Sequence, residues 1–260
     1  MPDLRTVVVG ASSGLGRCIG VGLAQRGAQV ALLARRRDRL QDAAVEAGAG
    51  TLSIECDVTD PNSCSAAITE AADALGGIDA LVYAPGIGPL ARLVDTDADT
   101  WRRVFETNVT GAALVTTAAM PHLMAAAGKA IYLSSVGASL TPWPGLGAYA
   151  VSKAALDKLV EAFRAEHPTV GFTRLVVGDC AGGEGDSQTQ FATGWDQELA
   201  AELVPLWLER GYMNGYLIDV EEIVTVVDAV LRSGASLTIP SVTVTPRAGG
   251  SPSPRFEEQS

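Results

Sequence analysis

Short apolar runs alternate along this chain with longer stretches in which apolar residues recur at helical spacing. The runs fall at 6–9, 29–34, 51–55, 80–84, 130–134, 171–177 and 237–242, and are rich in Val, Ile and Leu. Between them the spacing predicts helices over 14–26, 37–47, 61–75, 100–127, 148–166 and 220–232. Strands that are apolar throughout and separated by helices belong in a parallel sheet covered on both faces. Right-handed crossovers then give one α/β domain, a doubly wound and mainly parallel seven-stranded sheet. Its ligand crevice is expected at the carboxyl ends of the strands.

Two segments break this rhythm. Residues 178–194 are rich in glycine and acids (Gly182-Gly183-Glu184-Gly185-Asp186) and lead into a predicted helix at 195–210. A long insertion after a strand's carboxyl end suits an active-site lid, here expected over 178–216. The domain is expected to end at 244, and the Pro- and Ser-containing tail 245–260 to be disordered.

Composition narrows the function. Over 260 residues, 47% hydrophobic content is enough for a full core, and about three-quarters of the unfolded surface can be buried. No apolar run reaches the ~18 residues of a membrane span. The first strand starts within six residues of Met1, leaving no room for a signal peptide, so a cytoplasmic location is expected. A net charge of −11 argues against nucleic acid or an anionic membrane as partner. Cys18, Cys56, Cys64 and Cys180 show no metal-ligand spacing, and His122 and His167 fall near helix ends, so no metal site is expected.

The candidate chemistry sits in two places. After the first run, Gly10-Ala11-Ser12-Ser13-Gly14-Leu15-Gly16 opens the first helix. Gly10 permits a tight turn, Gly14 lets a ligand approach the backbone, and Gly16 lets helix pack on strand. The free N–H groups and positive dipole end of that helix suit a pyrophosphate. Further on, Tyr149 and Lys153 stand four apart, on one face of a helix, with Ser134-Ser135 upstream. A neighbouring ammonium favours the phenolate, so the spacing predicts a phenol pKa lowered from its usual value of about 10.

Together these residues resemble the short-chain dehydrogenase/reductase family, from about Thr6 to Val242. The resemblance implies a single-domain Rossmann-type fold. It implies adenine contacts from Asp57 and Val58, which follow Cys56, and catalytic roles for Asn108, Ser135, Tyr149 and Lys153. In family terms Ser135 orients the substrate oxygen and Tyr149 is the acid/base. Lys153 binds the nicotinamide ribose and lowers the tyrosine pKa, while Asn108 helps hold a proton-relay water. Two departures stand out. The family's Asn-Asn-Ala-Gly is Tyr83-Ala84-Pro85-Gly86, which leaves Ala84 and Gly86 as coenzyme contacts, and its Pro-Gly is Val177-Gly178.

The second strand ends Leu33-Ala34-Arg35-Arg36-Arg37, with no acid before Asp38. An NAD site usually places an acid there for the ribose 2′-hydroxyl, whereas guanidinium groups suit a 2′-phosphate. NADP(H) is therefore expected over NAD(H), with Arg35 and Arg36 as contacts and Ser13 adding a hydroxyl. The resemblance implies an oxidoreductase moving hydride between nicotinamide and a small-molecule carbonyl or secondary alcohol, assembled, as relatives commonly are, as a homodimer or homotetramer. A non-catalytic dinucleotide-binding sensor or scaffold is the alternative. Trp143, Trp195, Trp207, Tyr212 and Tyr216 fall where they could wall an apolar pocket or anchor the lid.

Overall fold

A computed structural model of the chain describes residues 4–180, 182–183, 188–213 and 215–247. Seven strands form one sheet, β1 (Arg5–Val9), β2 (Gln29–Ala34), β3 (Leu52–Glu55), β4 (Ala80–Tyr83), β5 (Lys129–Ser135), β6 (Gly171–Val177) and β7 (Ser241–Val244). All neighbours are parallel, in the order β3-β2-β1-β4-β5-β6-β7. The chain winds outward from β1 in one direction and from β4 in the other. The crevice therefore opens above the carboxyl ends of those two adjacent strands.

Alternation along each strand divides the core in two. Val8, Leu32, Val82, Ile131 and Leu175 face α1 (Gly14–Gln25), α2 (Arg37–Ala47) and α8 (Val220–Leu231), burying Ile19, Leu23, Leu40, Ile223 and Val227. Val7, Val9, Leu33, Leu81, Tyr132 and Phe172 face α3 (Pro61–Leu75), α5 (Gly111–Ala126) and α6 (Gly147–Glu166). A third, smaller cluster joins α7 (Gln197–Glu209) to the crevice through Leu203, Trp207, Leu90 and Leu146.

Two expectations need correction. The single helix predicted over 100–127 is broken: α4 (Ala98–Phe105) and α5 are joined by a π turn, Glu106–Thr110. The last strand begins four residues later than the run at 237–242 implies. Pro240 has no N–H to give a ladder and stands just before it, where its carbonyl accepts from the Arg174 N–H. The stretch Ala98–Ala126 has the length and apolar composition of a membrane span, but Val104, Val115, Ala119 and Leu123 on it are core residues. At the tail, Pro246 closes on Gly178, where a Cβ would come within 3.1 Å of its ring. Residues 248–260, most of the tail expected to be disordered, lie outside the described residues, as do 184–187 of the glycine- and acid-rich stretch.

Candidate active site

The glycine turn is built as a cradle. Gly10 has φ +82°, and a Cβ there would meet the Pro85 nitrogen at 2.8 Å; a Cβ on Gly16 would run into the Gly10 carbonyl. Both positions are closed to any larger residue, which brings α1 down onto the end of β1. Ser13 precedes α1 in extended conformation, yet its side chain does not cap the helix. Its hydroxyl instead accepts from Arg36 Nη2 at 2.5 Å, while Ser12 Oγ accepts from Arg36 Nε and Nη2 at 3.2 and 2.9 Å. The first N–H groups of α1 thus remain without a side-chain partner, which suits an anion.

Arg36 is therefore held across the mouth of the crevice by two neutral hydroxyls rather than by a carboxylate. Burial lowers its pKa, and the charges of Arg39 and Arg35 act in the same direction. Arg39 escaped the sequence reading although it belongs to the same basic run; its Nη1 is buried with no hydrogen-bond partner. Arg35 is more exposed, with Nη1 4.0 Å from Asp57 Oδ2. Asp57 accepts at Oδ1 from the Thr59 N–H (3.0 Å) and hydroxyl (2.8 Å). Its pKa is lowered even though burial, the largest influence on it, acts to raise it; the Thr59 hydrogen bonds and Arg35 prevail. The crevice wall there is supplied by Cys56 and Val58.

The glycine loop, Arg35, Arg36, Val58, Ala84, Gly86, Ser135, Tyr149 and Lys153 all line one cavity of about 950 Å³, at the upper end of the range for small-molecule sites. Ser135 ends β5 beside Val177, and its hydroxyl accepts from the Gly137 N–H at 3.2 Å. Tyr149 and Lys153 lie on the crevice face of α6, with Lys153 Nζ 5.8 Å from the Tyr149 ring centre. The Lys153 amine is buried and donates to the Leu133 carbonyl at 2.7 Å.

The predicted depression of the phenol is not seen. Burial pushes the Tyr149 pKa up to about 12, and only the nearby Ser135 hydroxyl opposes it. The physical reason lies in Lys153 itself. Burial pulls its amine down to about 8, with Asp157 acting in the opposite direction, and its N–H is directed to a backbone carbonyl rather than to the phenol.

Asn108 lies in the π turn, fully buried rather than on a helix surface. Its amide donates to the Ile87 carbonyl (2.9 Å) and to Ser152 Oγ (2.8 Å), and its carbonyl accepts from the Ile87 N–H (2.9 Å). It fastens the loop after β4 to α6, the helix that carries Tyr149. Such π turns hold one extra residue and recur at functional sites. Tyr83, which replaces the first family asparagine, holds the same turn from below: its buried hydroxyl donates to the Thr107 carbonyl at 2.6 Å. Tyr83→Phe should strand that carbonyl and cost about 1–3 kcal/mol. Thermal unfolding should record this as a fall of several degrees in Tm.

Residues of the segment 188–213 supply the opposite wall. Phe191 meets the Tyr149 ring edge-on, with centroids 4.9 Å apart and planes at 67°. Trp195 and Trp207 continue the contact, and their ring N–H groups donate to the Gly88 and Pro144 carbonyls at 2.8 and 2.9 Å. Trp143, Trp195 and Trp207 thus both line the cavity and pack that wall together, with Tyr212 stacked on Trp143; Tyr216 is half-buried outside that wall. Phe191 was missed because nothing in its sequence neighbourhood fixes which way the lid folds. Cys180 lines the cavity as well, but burial pushes its thiol up to about 11, the wrong direction for a nucleophile.

Comparison with known proteins gives a consistent result. The family model described as short chain dehydrogenase matches residues 5–186. A short chain dehydrogenase of Pseudocercospora fijiensis is 37% identical over 166 residues, covering 62% of this chain and 53% of that protein. An 11-beta-hydroxysteroid dehydrogenase 1A of Arabidopsis thaliana is 34% identical over 165 residues, covering 62% of this chain and 47% of that protein. The chain thus spans about half the length of these relatives. Among solved structures, an alcohol dehydrogenase from Thermococcus sibiricus, complexed with 5-hydroxy-NADP, superposes with a TM-score of 0.77 at 25% identity. That match covers 95% of this chain and 98% of the other. A short-chain type dehydrogenase/reductase from Mycobacterium marinum gives 0.76 at 26% identity, covering 93% of each chain. Proteins of this kind use nicotinamide dinucleotide coenzymes, bind small-molecule substrates and commonly form oligomers. With its doubly wound sheet, its glycine cradle and the match over residues 5–186, this chain belongs to the short-chain dehydrogenase/reductase family.

Proposed function

We propose that the protein is an NADP-dependent oxidoreductase that interconverts a carbonyl and a secondary alcohol. The observation that carries this reading is the meeting of Ser135, Tyr149 and Lys153 on the wall of the same cavity into which the glycine cradle and Arg36 open. The coenzyme would supply or accept hydride at the substrate carbon. Arg36, with Ser12 and Ser13 behind it, would hold the 2′-phosphate, and the start of α1 the pyrophosphate.

The side chains around the substrate oxygen divide the remaining work. Ser135 and Tyr149, near enough for the serine hydroxyl to favour the phenolate, present two hydroxyls to one oxygen. In ketone reduction the Tyr149 hydroxyl gives its proton to that oxygen as negative charge develops there. A phenol held near pKa 12 keeps its proton at neutral pH and yields it only to a stronger base, such as the alkoxide that forms as hydride arrives. Lys153 would steady the ribose hydroxyls and the phenolate left after transfer. Asn108, through Ile87 and Ser152, keeps these elements in register.

Because the tryptophan N–H groups are committed to backbone carbonyls, the lid wall of Phe191, Trp195 and Val204 favours an apolar ketone or alcohol. A cytoplasmic setting and a homodimer or homotetramer belong to the same reading. In support, none of the four cysteines forms a disulfide, and oligomers are common in the family. Initial rates on a panel of apolar ketones with NADPH or NADH at equal concentration test the proposal. NADPH should be favoured by at least tenfold in kcat/KM; a preference for NADH, or no turnover with either, would overturn it.

A further inference from the structure

Buried polar side-chain atoms almost always find hydrogen-bond partners, so those that do not mark places where something is held ready. Three such atoms gather beneath Lys153: Ser134 Oγ, Asp157 Oδ1 and Arg174 Nε. Asp157 is one helical turn beyond Lys153 on the same face of α6 and is 6% exposed. Ser134, 5% exposed, directly follows Leu133, whose carbonyl receives the Lys153 amine. Burial raises the Asp157 pKa above the usual carboxylate value, and the nearby Ser134 hydroxyl works against that by favouring the charged form.

The charged groups around this carboxyl come from three elements. From β6, Arg174 Nη1 stands 3.6 Å from Asp157 Oδ2 but makes its shorter contact, 3.0 Å, with Glu161 Oε1. From α6 come Lys153, which favours the Asp157 charge, and Glu161, which opposes it. From β5 comes only the neutral Ser134 hydroxyl. Tyr149 is the other titratable group beside the amine. Arg174 is thus shared between two acids and committed to the more exposed one. Asp157 keeps one oxygen without a partner, in a place screened from water, next to the only buried lysine of the crevice.

We propose that Asp157 is a positioning residue for the acid/base site, its shielded carboxylate keeping the Lys153 amine charged and in place. The inference rests on the reading that Lys153 and Tyr149 work together. Burial draws the amine down, Asp157 is the one charge raising it, and the two together leave it at about 8. Without that carboxylate the amine loses its proton at a lower pH. A neutral amine would hold ribose hydroxyls less firmly and could no longer balance a phenolate.

The chain has only three lysines, Lys129, Lys153 and Lys158, so a protein labelled with 13C at the lysine Cε yields a spectrum simple enough to titrate. In the intact protein Lys153 should titrate near pH 8. In Asp157→Asn its midpoint should fall by on the order of one pH unit, with Lys129, on the far end of β5, as the internal reference. A shift of that size leaves roughly a tenth rather than half of Lys153 charged at pH 8. The alkaline limb of kcat/KM should therefore move with it, giving about a fivefold loss at pH 8 and little change at pH 6. Arg174→Gln removes the competing cation while leaving Asp157 in place, and should move the Lys153 midpoint upward. It also serves if the Asn variant does not fold. A Lys153 midpoint that stays put in either folded variant overturns the proposal. The lysine signal needs no substrate, so a chain inert toward every carbonyl, but with a displaced Lys153 midpoint, would sink the proposed reaction and keep the link between the two side chains.

Discussion

Tyr149→Phe is expected to lower kcat/KM for ketone reduction by about 10²–10⁴-fold, the range of a well-placed general acid. The affinity for NADPH, measured by fluorescence titration, should change less than about twofold. The substitution removes one oxygen and keeps the ring. The edge-on contact with Phe191 at 4.9 Å therefore survives, and with it the seating of the lid. The Lys153 bond to the Leu133 carbonyl does not involve the phenol at all. A variant that keeps more than a tenth of its turnover would show that Ser135 or a water supplies the proton, and Tyr149 would lose its assigned role.

Arg36→Ala should weaken NADPH binding about 10- to 100-fold, as expected for a hydrogen-bonded charge worth about 1.5–3 kcal/mol, and leave NADH nearly untouched. The difference between the two coenzymes is the measurement. Among the described residues, Arg36 bonds to the Ser12 and Ser13 hydroxyls and to no carboxylate. Its loss frees two side chains that can turn to water or, for Ser13, cap α1, and so the fold should tolerate it. Equal weakening of both coenzymes would mean that Arg36 supports the glycine loop rather than reading the 2′ position.

Most of this architecture was legible because apolar strands and amphipathic helices announce themselves by period. Six of the seven strands fall within two residues of their predicted ends, and Gly10, Ser135, Tyr149 and Lys153 all reach one cavity. What escaped depends on contacts between distant residues. Nothing local to Tyr83 says that its hydroxyl will meet the Thr107 carbonyl, 24 residues on. The phenol's pKa was read from a four-residue spacing, but burial, a property of the assembled fold, outweighs it. Phe191 reaches Tyr149 from 42 residues away, beside the bond that ties Trp195 to Gly88. Asp157, by contrast, sits in plain view at the same spacing from Lys153 as Lys153 from Tyr149. Its importance emerges only once Arg174 is seen to be committed elsewhere.

The widened turn at Glu106–Thr110 fixes the phase of everything that follows it. Each added residue swings a helix by about 100°, so α4 can lie against α6 while α5 presents Val115, Ala119 and Leu123 to α3 and the sheet. A one-residue deletion there would restore an unbroken helix and turn one of those two surfaces away from its partner. Substitutions in the segment are therefore a matter of chemistry, whereas a change in its length is a matter of geometry for the whole left half of the crevice.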